Sequence, residues 1–262
     1  MKGYIKRLLS GAKKWEIVLW WAVRAVMIGA IIKTIVDAFM PAKGGEVIGN
    51  SDQIAQLTAN LTLMFLWEMC QAFSEKRFLR YIPSYVQDVL AVFILLTSFG
   101  GAFLNLYYKL WWWDTVLHVV GGAFCVLGGY ELVCAVQKRD RVYAHLTIVL
   151  VAAFCFSFFA GTGWELFEFT YDQLGGGDAQ HWSYANAIAT SYHPIFDPVN
   201  KIGLDPSARF PIIDTMADIV CNTLGAVGGY IILRFFPYHH RGNGNLNAKY
   251  KGNTKKHEYA VK

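Results

Sequence analysis

The chain is poor in charge and in cysteine. Only 16% of its 262 residues are charged, against about 25% in an average protein. Low charge together with 55% apolar residues excludes a disordered chain, which has the opposite composition. Five cysteines in a chain of this length exclude a disulfide-stapled secreted scaffold. All five fall inside apolar stretches without a CxxC spacing, so we interpret them as small core residues.

Long apolar blocks take the place of the missing charge. A helix needs about 20 apolar residues to cross the hydrocarbon core of a bilayer. Six stretches have this length, namely residues 17–40, 54–73, 86–104, 113–133, 145–169 and 213–236. None alternates apolar and polar residues as a strand would. The sequence therefore predicts an all-α fold, a polytopic helical bundle of about six transmembrane helices with the lipid bilayer as its surroundings.

Lysine and arginine are distributed unevenly over the connections. Seventeen fall on one side of the predicted bundle and four on the other. Because positive charge marks cytoplasmic loops, we predict a multi-pass protein of the cell membrane with both termini cytoplasmic. Residues 1–14 form a basic cytoplasmic or interfacial segment, residues 15–236 the transmembrane bundle, and residues 237–262 a basic cytoplasmic tail. We predict no nucleic-acid partner, since no soluble domain is present to shape a groove for one.

One connection is much longer than the others. Residues 173–211 join the fifth and sixth spans on the predicted extracytoplasmic side. Loops of this length are usually functional or disordered. This loop contains Trp182, Tyr184, Tyr192 and Phe196, so we expect it to form a cap on the membrane surface.

Eight polar side chains lie at the predicted outer ends of the last three spans. In chain order they are Asp114, His118, Glu165, Glu168, Asp172, Asp214, Asp218 and Asn222. Within each span they are spaced by three, four or seven residues, which places them on one face of the helix. Charged side chains inside a membrane normally face the bundle interior. We therefore expect the three faces to converge on one pocket, helped by glycines that let membrane helices approach closely.

Six of the eight polar side chains are carboxylates, which cannot all be ionised at close range without compensation. The compensation is a divalent cation, retained protons, or ion pairs with Arg24, Lys33 and Arg209, which are too few for the whole set. Oxygen ligands with one imidazole suit Mg²⁺, Mn²⁺ or Ca²⁺ and do not exclude Zn²⁺ or iron.

The candidate roles follow from these chemistries. The predicted metal ligands are Asp114, His118, Glu165, Asp214 and Asp218. His118 and Glu168 are the candidates for a catalytic acid or base, and Asp172 and Asn222 are further polar residues of the site. Glu68, Asp88 and Glu131 lie near the inner ends of their spans, where we expect them to be interfacial.

Three motifs carry a resemblance to known proteins. The segments WWWDTVLHVVGG (111–122), GTGWELFEFTYD (161–172) and IIDTMADIVCNTLGAVGG (212–229) resemble the polytopic bacterial membrane proteins of the YjdF type. Their frame, Asp-x3-His, a Glu-bearing helix and Asp-x3-Asp-x3-Asn-x2-Gly, is also similar to VanZ-like membrane proteins, which implies a role in the cell envelope. The Glu165/Glu168 pair and the long loop depart from the VanZ pattern. The resemblance implies a membrane bundle and selects the same polar residues, but it implies no reaction.

Three functions remain open at this point. The first is a metal-dependent hydrolase or transferase that acts on a lipid-linked envelope substrate, with a cation polarising the reacting group. The second is a proton-coupled transporter, since intramembrane acids and histidines are typical of proton paths. The third is a non-catalytic envelope factor in which the polar faces only hold helices together or bind a partner.

Overall fold

A computed structural model describes residues 11–39, 50–110, 112–175, 179–180 and 206–235. Over these residues the chain is helical and has no strand, so the predicted all-α fold is confirmed. The helices are α1 (Lys14–Ala38), α2 (Asn50–Leu63), α3 (Leu66–Ala72), α4 (Tyr85–Ile94, continued as a π-helix over Leu95–Phe103), α5 (Leu106–Lys109), α6 (Trp113–Asp140), α7 (Leu146–Gly175) and α8 (Pro206–Phe235). A short 3-10 helix, Phe78–Tyr81, precedes α4.

The bundle has two apolar cores that divide it along the chain. The first core joins α1 to α4 and is built around Trp20, Met27 and Trp67. The second core joins α6, α7 and α8 around Tyr130 and Leu150. All eight predicted site residues lie on the helices of the second core.

Within the described ranges, five helices are long and apolar enough to cross a membrane: α1, α4 with its π-helical continuation, α6, α7 and α8. The remaining predicted span, 54–73, is broken into α2 and α3 at Met64 and Phe65. The count of six and the cytoplasmic placement of both termini therefore stay predictions. Residues 1–10 and 237–262 of the terminal segments, and residues 176–178 and 181–205 of the long connection, lie outside the described residues.

Side chains from neighbouring helices satisfy the backbone where α2 gives way to α3. The Met64 carbonyl oxygen accepts hydrogen bonds from Arg24 of α1 and from Gln87 Nε2 of α4, the latter at 2.8 Å. Arg24 also forms a buried ion pair with Glu68 at 2.5 Å. A free carbonyl is costly at membrane depth, so these bonds stabilise a break that contains neither proline nor glycine. Glu68 is consequently buried within the bundle, and its position at the membrane interface stays a prediction.

Glycines set the distance between α6 and α8. A Cβ atom on Gly122 would lie 2.0 Å from the Asn222 carbonyl oxygen, and one on Gly225 would lie 1.8 Å from the Val119 carbonyl oxygen. Only glycine permits backbones to approach this closely. This contact brings the loop-side ends of the two helices, with their polar residues, to within reach of each other.

Candidate functional site

The candidate site lies at the end of the bundle where α6 begins, α7 ends and α8 begins; we call it the loop end. Glu165 stands about 20 residues, or roughly 30 Å of helix, after the start of α7 at Leu146. His118 precedes Lys138 at the other end of α6 by about 20 residues. This length equals the thickness of a hydrocarbon core, about 30 Å. The polar residues of the two helices therefore lie at matched depth, about the thickness of a hydrocarbon core from the opposite ends of their helices.

The centre of the site is a cluster of three ligand-type side chains from two helices. Asp114 and His118 lie one turn apart on α6, and Asp218 faces them from α8. His118 Nε2 is 3.6 Å from Asp114 Oδ1 and 3.7 Å from Asp218 Oδ1. One ligand atom from each residue falls within 4.8 Å of the other two. We refer to Asp114, His118 and Asp218 as the cluster.

Glu165 approaches His118 from the opposite side of the imidazole ring. Its Oε1 atom is 4.0 Å from His118 Nδ1, whereas both aspartates face Nε2. Glu165 therefore lies on the side of the ring away from the two aspartates, and its place among the metal ligands stays a prediction.

The Glu165 carboxylate is buried, with a neutral hydroxyl beside it. The residue is 4% exposed, and neither oxygen has a hydrogen-bond partner within the described part of the chain. The Thr215 hydroxyl, which accepts a hydrogen bond from Gln180 Nε2 at 2.6 Å, is near enough to interact with it. A buried acid in this state needs a proton, a cation or a polar ligand beside it.

Two further predicted residues surround the cluster. Asp218 lies within electrostatic range of both Asp214 and Glu168. Asp214 is buried, and Glu168 is half-buried and accepts a hydrogen bond from Trp164 Nε1 at 2.7 Å. These two acids add negative charge to the site.

The last two predicted residues are engaged elsewhere. Asp172 accepts hydrogen bonds from the backbone N–H groups of Ala179 and Gln180 at 2.7 and 2.8 Å, which fixes the chain after α7. Asn222 lies one turn below Asp218 and donates from Nδ2 to the Ser157 carbonyl oxygen at 3.4 Å. Asp172 and Asn222 therefore hold the helices and the adjoining chain in place around the cluster.

Tyr107 was not among the predicted site residues, because a tyrosine beside three tryptophans is typical of an interfacial aromatic belt. Asn105, in the left-handed conformation (φ 58°), starts the short helix α5 that carries it. The ring packs on Gly101, where a Cβ atom would lie 2.2 Å from it. Burial, and then the charges of nearby Asp114 and other acids of the site, raise the pKa of the Tyr107 phenol. The phenol is thus a protonated donor beside the cluster.

The donor set of the cluster fits a divalent cation. It offers two carboxylates and one imidazole, a combination suited to Mg²⁺, Mn²⁺, Ca²⁺ or Zn²⁺. Half of the 3.6 or 3.7 Å separations is less than the roughly 2.1 Å bond that Mg²⁺ or Zn²⁺ makes. One ion can therefore contact both members of each pair without forcing them apart.

Comparisons with known proteins give a family but no reaction. Residues 47–239 match a family model described as a predicted membrane protein, DUF2238, and this region contains every predicted site residue. An uncharacterised protein of Thermotoga maritima is 31% identical over 93 residues, which are 36% of this chain and 47% of that protein. The chain thus spans about half the length of this relative. No solved structure matches. The predicted membrane character is confirmed by the family match, and the VanZ-like frame stays a prediction.

Proposed function

Since the chain belongs to the DUF2238 family of predicted membrane proteins, we propose that its cluster binds a divalent cation and that the protein is a metal-dependent hydrolase or transferase of a lipid-linked envelope substrate. The observation that carries this proposal is the convergence of Asp114, His118 and Asp218 within 4.8 Å. The similarity of the motifs to VanZ-like proteins supports the envelope part of the proposal.

Each residue has a separate role in this proposal. Asp114, His118 and Asp218 hold the cation through their carboxylate oxygens and Nε2, and Glu165 orients His118 from the Nδ1 side. A cation bound there would polarise a phosphoryl or carbonyl oxygen and lower the pKa of bound water. Because Nε2 of His118 then serves as a ligand, Glu168 is the remaining candidate for general acid or base.

The polar groups at the other end of the bundle favour an enzyme over a proton-coupled transporter. Glu68 pairs with Arg24, the Asp88 carboxylate accepts a hydrogen bond from Trp20 Nε1 at 2.7 Å, and Glu131 accepts one from Tyr85. A proton path needs groups that connect across the bilayer. Groups that are each bound to a local partner support a site on one side of the membrane.

Metal content of the purified protein tests the proposal. We expect about one Mg²⁺, Mn²⁺, Ca²⁺ or Zn²⁺ per chain in detergent, and loss of the ion in Asp218→Asn and His118→Ala. Glu131→Gln is the matched control, since Glu131 is a buried acid on α6 far from the cluster. The metal-loaded protein should release phosphate from, or transfer it between, lipids in vesicles, and Glu168→Gln should lose this activity while keeping its metal.

Two results would contradict the proposal. A well-folded protein that contains no ion after dialysis against each of the four cations would leave a helix-holding role for the cluster. Proton-dependent uptake into vesicles that is lost in Asp218→Asn, with no metal bound, would favour the transporter.

A further inference from the structure

A groove runs between α7 and α8 beside the cluster. Leu166 and Phe169 line it from α7, and Ile212 and Ile219 line it from α8; we call it the lateral groove. Its volume is about 370 Å³, within the range of roughly 300–1,000 Å³ that is usual for small-molecule sites. The walls are mainly apolar, so the lateral groove suits a hydrocarbon.

Glu165 is one of the residues that line the lateral groove. Only 4% of this residue is exposed, and its oxygens have no hydrogen-bond partner among the residues described. The same carboxylate approaches His118 of the cluster at 4.0 Å. The Glu165 side chain therefore lies between the lateral groove and the cluster.

At the loop end of the lateral groove, residues 179–180 connect the two helices. Asp172 of α7 accepts hydrogen bonds from the backbone N–H groups of Ala179 and Gln180, and the Gln180 side chain donates to Thr215 of α8 at 2.6 Å. The other approach to the lateral groove is from its side, between α7 and α8.

That side is exposed and apolar. Leu166 is 62% exposed and Ile212 is 65% exposed, on helices that are long and apolar enough to cross a membrane. Ile219 lies about one helical turn deeper than Thr215 and roughly 10 Å of helix below Ile212. Along α8 the lateral groove thus covers about two helical turns. Because both helices are long and apolar enough to cross a membrane, its sideways opening faces lipid chains.

We propose that the lateral groove holds one hydrocarbon chain of a membrane lipid and places the phosphate-bearing head of that lipid at the cluster. The position of the head rests on the proposed function, because a phosphate is attracted to a site rich in carboxylates only when a cation is bound there. The position of the chain rests on the lateral groove alone. The exposed apolar side of the lateral groove is where this chain enters.

Photocrosslinking in vesicles tests the chain site. The full-length protein is reconstituted in phosphatidylglycerol vesicles that contain a small fraction of the same lipid with a diazirine on one acyl chain. After irradiation we expect label concentrated in residues 166–169 and 212–219. Ile212→Trp should remove most of that label, because the larger side chain occupies groove volume and takes away packing contacts that an acyl chain would make.

Two other variants complete the test. Leu166→Trp fills the lateral groove from the α7 wall and should have the same effect, so the test does not depend on the folding of one variant. Ile232→Trp places the same bulk on an exposed α8 residue at the far end of the helix and should leave the label unchanged. Label spread evenly over all apolar faces, or label in 166–169 and 212–219 that neither groove variant reduces, would overturn the proposal. So would crosslinks between two chains at the lateral groove.

Metal content separates this proposal from the proposed function. Ile212→Trp and Leu166→Trp should keep the metal of the unaltered protein. If the lateral groove is labelled in a protein that binds no metal, the proposed chain site stands and the proposed position of the lipid head is refuted. Bound metal without groove labelling would retain the cation site and refute the chain site.

Discussion

Replacing Glu165 by glutamine should weaken cation binding without abolishing it. The side chain lies 4.0 Å from His118 Nδ1, on the opposite side of the ring from Asp114 and Asp218. An amide keeps the volume and removes the negative charge. The expected loss of cation affinity is thus the loss seen when an outer partner of a ligating histidine is replaced. The cation still has its three ligands, Asp114, His118 and Asp218.

The magnitude follows from this placement. Two unit charges at 4 Å interact by about 4 kcal/mol at an effective dielectric constant of 20, but a ligating imidazole is neutral, so the loss must be smaller. Outer partners of metal ligands are typically worth 10–100-fold in affinity, or about 1.4–2.7 kcal/mol. We expect Glu165→Gln to bind Mn²⁺ or Zn²⁺ with an affinity roughly 10–100-fold lower than that of the unaltered protein. Asp218→Asn should bind far more weakly still.

Isothermal titration of the detergent-solubilised protein, with a chelating dye as competitor, measures both affinity and stoichiometry. Glu131→Gln makes the same chemical change in a buried acid of α6 and should leave both unchanged. Unaltered affinity in Glu165→Gln would refute the orienting role. Loss as complete as in Asp218→Asn would instead make Glu165 a ligand, as the sequence predicted.

Two further predictions concern the bundle that supports the site. Gly225→Ala places a Cβ atom 1.8 Å from the Val119 carbonyl oxygen and should cost about 1–3 kcal/mol of stability; Gly228→Ala, where the added atom meets nothing within 4 Å, should melt at the normal temperature or above it. Arg24→Met leaves the buried Glu68 carboxylate without its ion pair and should cost about 3–5 kcal/mol, part of which the added change Glu68→Gln should restore. Thermal unfolding in detergent measures both, and equal melting of the two glycine variants, or an unaffected Arg24→Met, would contradict these contacts.

The helices and the depth of the polar residues could be predicted because both follow from local pattern. Apolar length identifies a helix of the bundle, and a spacing of four places Asp114 and His118 on one face. The distance of His118 and Glu165 from the opposite ends of their helices requires only counting. These features need no knowledge of how the helices are rotated against one another.

Features that depend on contacts between distant parts of the chain could not be predicted. Which imidazole nitrogen faces Glu165 depends on the rotation of α7 against α6, and no spacing within either helix determines it. Asp172 has the same helical spacing as the other acids of α7, yet its carboxylate oxygens accept hydrogen bonds from the backbone N–H groups of residues 179–180. No proline or glycine marks the break after α2 in the sequence. Arg24 and Gln87, which are distant from the break along the chain, stabilise it by donating hydrogen bonds to the Met64 carbonyl oxygen.

The coordination of a bound ion tests the central claim most directly. Pulsed electron paramagnetic resonance of the protein loaded with Mn²⁺ detects a ligating nitrogen through its coupling to the metal. We expect one imidazole coupling in the unaltered protein, absent from His118→Ala and retained in Glu165→Gln and Glu131→Gln. Bound Mn²⁺ without a nitrogen coupling, or the same coupling in His118→Ala, would place the ion elsewhere and contradict the account.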